Sequence, residues 1–436
     1  MLPSPNLGEL LAYPGRSTRA LVDLDVIRAN AHALTSLVGP AVELMAVVKA
    51  DGYGHGAVMV AREAIAGGAT WLGVATVSEG RELRDASIDT SILVLGPIHA
   101  TEVDAAMVGR LDISVGDHEL ADALAYRAET GLRIPPLHLK VDTGMHRYGL
   151  PPDAVVQVLS RLEQVAPGAV VGLCSHLASA DEAESAVTLA QARVFGEVTD
   201  RARPLVPGIK VHLANSAATM SRLAQHTSIA RVGIALYGCG LVSNVGPRDI
   251  VRPAMSIVSR VMRTHELKPG DGVSYGHTYT AISSERVGLV PVGYADGYQR
   301  SLSNRSAMTV DGVDLPVRGR VCMDQTVVGS LPASVSSGDW VGVVGPALDG
   351  PSWDDLATIA DTISYELLTS VGRRVARLYH RSGTLVAVRD ERGRYASIDE
   401  QEEAPSPNSE GLPPMDDLSS TTATPTPRPA GWRRPP

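Results

Sequence analysis

From about residue 20 to residue 240 the chain repeats one pattern: a short apolar, β-prone run, then a segment with helical periodicity. The runs are LMAVVK (44–49), WLGVAT (71–76), SILVLG (91–96), LDISVG (111–116), LHLKVD (137–142), VVGLCSH (170–176), KVHLAN (210–215) and SIARVG (228–233). Between them, stretches such as 117–131 and 181–202 space their apolar residues as a helix does. Strands that alternate with helices pair in parallel through right-handed crossovers. Eight such units in roughly 200 residues fit a closed (β/α)8 barrel of the TIM type. An open doubly wound sheet is the alternative, but no G-x-G-x-x-G follows the first run, which weakens its dinucleotide-binding form.

After about residue 250 the rhythm changes. AMSIVSRVMRTHEL, RVGLVPVG, AMTVDGVDLPVRGRVCM and DWVGVVG follow one another without long helical segments. Asp311-Gly312, set between apolar runs, reads as a hairpin turn. One helix is expected at WDDLATIADTISYELLTSVG (353–372). The expected organisation is a barrel over 17–248 and a mostly antiparallel β domain over 249–391. A disordered tail over 392–436 should follow, because 9 of the 29 prolines fall in 401–436 and little apolar residue remains to bury.

In a (β/α)8 barrel, chemistry collects at the C-terminal ends of the strands. Lys49 ends the first run, in AVVKADGYGHG, and is one of only four lysines; the other 35 basic residues are arginine. Genome base composition accounts for most of that bias, yet an amine can lose its proton and attack a carbonyl where a guanidinium cannot. A lysine desolvated in a barrel mouth suits Schiff-base chemistry; a structural ion pair is the other reading. The glycines at 52, 54 and 56 permit a tight turn there. At the last two strand ends, Ser216 stands near a helix start, and Arg231-Val232-Gly233-Ile234 opens another short helix. Barrel phosphate sites use these two loops, although ordinary helix capping explains each loop alone. A Schiff-base lysine and a phosphate site in one mouth point to pyridoxal phosphate.

AVVKADGYGHG closely resembles the cofactor-lysine signature of the alanine racemases. The resemblance continues through LKVDTGMHRYG, SHLASAD, HLANSAAT, ARVGIALYG, SYGHTYTA, VPVGYADGYQRSLSN, RGRVCMDQTVV and ISYELLTSVGRRV, and covers roughly residues 18–390. It implies a barrel followed by a β-strand domain, pyridoxal 5'-phosphate as cofactor, and the interconversion of L-alanine and D-alanine by two bases. Lys49 is then the cofactor lysine and one base; Tyr275, reaching in from the partner of a homodimer with shared active sites, is the other. Arg231 faces the pyridine nitrogen. Tyr53, Ser216, Gly233, Ile234 and Tyr365 hold the phosphate, while Arg147 and the backbone amide of Met323 orient the substrate carboxylate. His176 and His212 stand behind Tyr275 and Arg231 respectively, and Tyr294 and Tyr365 narrow the entrance. Lys140 matches a lysine that many members carry as a carbamate, paired with Arg147; an ion pair with Asp142 is the plainer alternative. The chain departs from the family pattern at Gly329 and Ala376, neither a proposed functional position.

Several classes are disfavoured. Net charge is −9, which argues against general nucleic-acid binding. No run of about 18 apolar residues appears, and the N-terminus has neither a basic nor an apolar leader region, so no membrane span or secretory signal is expected. Cys174, Cys239 and Cys322 form neither a disulfide framework nor a metal-ligand spacing, which suits a reducing cytoplasm and no metal. The resemblance further implies D-alanine supply for peptidoglycan. Three other functions are weighed. A racemase of broader specificity often carries an export signal, absent here. A barrel decarboxylase of basic amino acids needs a glycine-rich phosphate loop and an acidic substrate motif, which are not found. A non-catalytic cofactor-binding barrel would lack the second domain.

Overall fold

In the computed structural model, which describes residues 7–182, 185–223, 227–240 and 250–397, each of the eight apolar runs forms a strand. After a first strand β1 (Arg19–Asp23) come β2 (Glu43–Val47), β3 (Trp71–Val74), β4 (Ser91–Val94), β5 (Asp112–Val115), β6 (Leu137–Lys140), β7 (Val170–Cys174), β8 (Lys210–His212) and β9 (Ile229–Val232). These last eight form one sheet in the order β8-β7-β6-β5-β4-β3-β2-β9, and every pairing in it is parallel. Two backbone hydrogen bonds bring its ends together: Ser228 N–H donates to the Val211 carbonyl (2.6 Å), and Arg231 N–H to that of Ala214 (3.0 Å). The result is the TIM-type barrel the alternation called for.

The outer helices bury one face each. The helix Leu24–Val38 is capped by the Asp23 side chain, which accepts from Val26 N–H, and it buries Leu24, Ile27, Ala31 and Leu34. The helix Val77–Asp85 starts with a reciprocal capping box between Thr76 and Glu79. Inside the barrel, Met45, Trp71, Leu93 and Ile229 pack together.

The second domain is built on an eight-stranded sheet that is antiparallel except at one pairing. In space its order is 313–316, 307–310, 340–344, β10 (Met255–Arg260), β1, 376–381, 384–389 and 395–397. Sequence reading groups residues 19–23 with the barrel, but β1 lies in this sheet, antiparallel to β10 and parallel to 376–381. Its partners are more than 200 residues away in the chain, and no local pattern announces such a pairing. The chain thus starts in one domain, builds the other and returns.

Asp311 and Gly312 form the hairpin turn between Val310 and Val313, with φ of 49° and 74°. Two successive positive φ values define the turn that matches strand twist, and Gly at the second position adopts one without a Cβ clash. The single helix expected over 353–372 is two, Trp353–Ala360 and Ser364–Thr369. Asp361 takes a left-handed φ of 58° and ends the first; Ile363 is extended before the second. Residues 392–397 fall in the tail expected from 392, yet Tyr395–Ser397 adds a strand to the sheet edge; residues 398–436 lie outside the described residues. No described helix is long and apolar enough to cross a membrane.

Candidate active site

The mouth of the barrel is organised by the turn after β2. Lys49 opens it, and Ala50, Asp51, Gly52 and Tyr53 follow with φ of 50°, 56°, 60° and 50°. Left-handed backbone costs a residue with a Cβ about 1–2 kcal/mol, so this turn stands only because its surroundings hold it. Ala50 N–H donates to Glu79 Oε1 (2.8 Å), and Asp51 Oδ1 accepts from Ala57 N–H (3.1 Å). The second domain contributes an Arg389–Asp51 ion pair, and Arg377 Nε–H donates to the Gly54 carbonyl (3.1 Å). So braced, the turn presents Lys49 and Tyr53 to one cavity of about 800 Å³.

That cavity also takes in Lys140, Arg147, His176, Ser216, Arg231, Gly233, Ile234 and Tyr365, which brings together residues expected from strand ends and residues expected from the resemblance. Four of the lining side chains, Lys49, Lys140, Arg147 and Arg231, are basic. Burial lowers the Lys49 amine from its ordinary range, Arg147 lowers it further, and Glu79 partly opposes both. Lys140 is pushed down to about 8, by burial first and then by Arg231 and Arg147, with Cys174 and Asp142 opposing. The alternative Lys140–Asp142 ion pair is not formed: Asp142 pairs with His146 (3.3 Å) and accepts from the Gly144 and His146 amides. Burial, Arg231 and the other cations push His176 down to about 2, so it is a neutral imidazole.

Arg231, at the end of β9, is fixed on several sides. One terminal nitrogen donates to the His212 carbonyl (2.7 Å) and faces His212 Nδ1 (3.1 Å). The other donates to the Ser175 (2.6 Å) and Leu213 (3.3 Å) carbonyls and faces His176 Nδ1 (3.4 Å). Beside it lie the residues expected to cradle a phosphate. Ser216 Oγ accepts from the amides of Gly233 (2.9 Å) and Ala235 (3.4 Å). The Tyr53 ring stacks on Tyr237 at 4.8 Å and lies 6.0 Å from Tyr365. Burial raises both phenols, Tyr365 to about 12, so both are neutral donors. A Cβ on Gly233 would lie 2.4 Å from the Tyr53 hydroxyl, so the bare backbone there makes the cradle possible.

Tyr275, Tyr294 and Met323 do not line the cavity. They sit on the second domain, exposed by 71%, 43% and 52% of their surface. Their loops are tied together: Ser274 Oγ–H donates to the Arg320 carbonyl (2.7 Å), Tyr294 N–H to Cys322 (3.1 Å) and Ala295 N–H to Met323 (3.0 Å). One chain therefore presents two separate groups, a cation-rich mouth and an exposed tyrosine–methionine surface. The sequence reading passed over Glu79, Asp51 and Arg389, which brace the lysine turn, and over Asp112 and His138, which lie beneath Arg231.

Known proteins carry the reading further. Residues 22–240 match the family model of the alanine racemase N-terminal domain, and residues 254–379 that of the C-terminal domain. An alanine racemase of Symbiobacterium thermophilum is 42% identical over 373 residues, 84% of this chain and 97% of that protein. One from Beutenbergia cavernae is 40% identical over 379 residues, 85% of this chain and 98% of that one. Among solved structures, alanine racemase from Bacillus anthracis, with bound L-Ala-P, superposes with a TM-score of 0.80 at 32% identity, covering 89% of this chain and 100% of its own. That of Streptomyces coelicolor gives 0.76 at 38% identity, covering 83% and 98%. Fold, mouth and matches define an amino-acid racemase built from a barrel and a β domain. More narrowly, the chain belongs to the alanine racemase family, and its reaction is the interconversion of L- and D-alanine.

Proposed function

We propose that the mouth binds pyridoxal 5'-phosphate and that two chains share each site of a homodimer. The observation that carries this is the convergence in one cavity of a lysine with a lowered pKa, a fixed arginine and an anion cradle. The cradle suits a phosphate: Tyr53 and Tyr365 are neutral donors, and Gly233 is bare. Pyridoxal phosphate, when bound, supplies an electron sink that acidifies the substrate Cα–H.

This chain's residues then divide the work. Lys49, whose neutral amine burial favours, takes the Cα proton on one face, and as the ammonium so formed returns a proton there in the reverse direction. Tyr275 of the partner subunit does the same on the opposite face, so configuration inverts without the substrate turning over. Arg231 would face the pyridine nitrogen with a group that does not give up its proton, which would leave the ring a weaker sink and limit side reactions. His176, a neutral imidazole against Arg231, stands behind the partner's Tyr275. Arg147, to which no other described residue makes a hydrogen bond or ion pair, receives the substrate carboxylate together with the amide of the partner subunit's Met323, while Tyr365 and the partner subunit's Tyr294 restrict the entrance. Lys140, buried among cations without an ion pair, carries a carbamate that holds Arg147. Three free cysteines suit a reducing cytoplasm, where the product D-alanine supplies peptidoglycan.

Borohydride reduction of the loaded enzyme tests the assignment. Cofactor fixed on the peptide containing Lys49 is the expected result. Label on Lys140 overturns it.

A further inference from the structure

Beneath the mouth, the barrel interior carries a polar line opposite its apolar cluster. Arg231 on β9 faces His212 on β8 (3.1 Å to Nδ1). His212 Nε2 lies 2.8 Å from His138 Nδ1, on β6. His138 Nε2 lies 3.2 Å from Asp112 Oδ2, at the start of β5. Both imidazoles are fully buried, and the Asp112 side chain keeps 15% of its surface. Space for the line is built in: a Cβ on Gly172 would lie 2.0 Å from His138 Nδ1. The line runs from the mouth toward the opposite end of the barrel.

Its proton order follows from what each group can do. A guanidinium only donates, so His212 Nδ1 must accept and the His212 proton sits on Nε2. That proton is donated to His138 Nδ1, which places the His138 proton on Nε2, directed at the Asp112 carboxylate. With neutral rings, this is the one arrangement that satisfies all three contacts; the reverse sets donor against donor at Arg231. Burial, and then the neighbouring His138, Arg231, Lys140 and Lys210, hold His212 well below the ordinary imidazole range. Among the described residues no carboxylate lies within ion-pair distance of Arg231 itself.

We infer that His138 and Asp112 are positioning residues for the racemase: they hold the His212 proton on Nε2, so that a bare Nδ1 keeps Arg231 aimed into the mouth. Asp112 supplies the negative end of a line whose positive end is the guanidinium, with two neutral rings between. This rests on the proposed role of Arg231 at the cofactor ring.

Nitrogen-15 NMR of the histidine-labelled holoenzyme reads the proton order, with His138→Gln used to assign signals. A proton on Nε2 and a bare Nδ1 in both rings is the expected result. A proton on His212 Nδ1, or a doubly protonated ring, overturns the inference, and this wild-type spectrum suffices if a variant fails to fold. Two variants then separate positioning from packing. Glutamine at 138 can accept from His212 with its amide oxygen and donate to Asp112 with its nitrogen, whereas phenylalanine can do neither. His138→Gln should stay within a few-fold of wild-type kcat. His138→Phe should lose about 10–100-fold, as when an outer partner of a ligating histidine is removed, with a displaced His212 signal and a smaller change in KM. Equal losses in the two variants, or none in a folded His138→Phe, overturn the positioning role. The nitrogen spectrum does not depend on catalysis, so failure of the Lys49 assignment and failure of this inference are told apart.

Discussion

Replacing Gly233 with alanine tests the cradle most directly. The added Cβ would lie 2.4 Å from the Tyr53 hydroxyl and 3.0 Å from the ring carbon that bears it, about 1 Å short of ordinary contact. Neither side yields easily. Tyr53 stacks on Tyr237, which is fully buried and donates its hydroxyl proton to the Val47 carbonyl (3.1 Å). The Tyr53 backbone belongs to the left-handed turn, and that turn abuts the helix Ser364–Thr369, where a Cβ on Gly54 would meet the Leu368 carbonyl at 2.2 Å. Overpacking of this kind costs about 1–3 kcal/mol. If the cost falls on the bound state, it weakens pyridoxal phosphate by roughly 5- to 150-fold. Titrating apoenzyme with the cofactor, followed by absorbance, measures this, and urea unfolding separates any loss of stability. Because the nearest clashing atom is the hydroxyl oxygen, Tyr53→Phe should harm the Gly233→Ala enzyme less than it harms wild type. Unchanged cofactor affinity in a fully folded Gly233→Ala protein would refute the cradle, as would strict additivity of the two substitutions.

Three further outcomes are expected. Lys49→Ala and Tyr275→Phe homodimers should each be nearly inactive. Refolded together they should form about half mixed dimers and recover up to about a quarter of wild-type activity, since each mixed dimer has one intact site; mixed dimers that form but stay inactive would place both residues in one chain's site. Carbon-13 NMR in labelled bicarbonate should show a carbamate signal that disappears in Lys140→Met; its persistence would assign the carbamate elsewhere. Asp296, side chain fully buried, is ion-paired with Arg16 and Arg374, which outweigh the burial that would raise its pKa and hold it below the usual 3.8. Its contribution to stability is complete above the unfolded value and lost as pH falls through the lower folded value. Asp296→Asn should therefore destabilise the protein at neutral pH by about 1.5–3 kcal/mol, since Arg16 and Arg374, both partly exposed, lose a charged acceptor while Arg374 keeps Asp324. It should also flatten the acid limb of a urea-midpoint profile; an unaltered acid limb would show that this carboxylate does not govern it.

What the sequence reveals here depends on whether the cause is local. The barrel strands and the Asp311-Gly312 turn are legible because each depends on neighbouring residues alone: a run of apolar residues, a pair that tolerates positive φ. The break at Asp361 is not, since helical periodicity continues through it. It is fixed by contacts made elsewhere, among them Asp354 accepting from Ser364 Oγ–H and from Gly240 N–H (2.8 Å). The break seats Tyr365 at the mouth, so the missed helix end and the place of that tyrosine share one cause. His138 was within reach. It stands two residues before Lys140 on β6, and in a strand that spacing puts both side chains on one face. Attention to strand ends alone passes over it, because its role lies a layer deeper.

The lysine turn shows the limit of local reading. The glycines of KADGYGHG announce a turn, but three of its five successive left-handed residues carry a Cβ. Glycine permissiveness therefore does not explain the conformation; the brace does. Arg389 reaches Asp51 across 338 positions of sequence, and Arg377 reaches Gly54 across 323. Both arginines stand on strands of the second domain, in the sheet that also contains β1. The lysine that opens the turn thus takes its position partly from the β domain of its own chain. The second domain then has two tasks in the proposed dimer, bracing its own barrel's Lys49 and presenting Tyr275 to the partner's, and the two bases of each site are set by two different β domains.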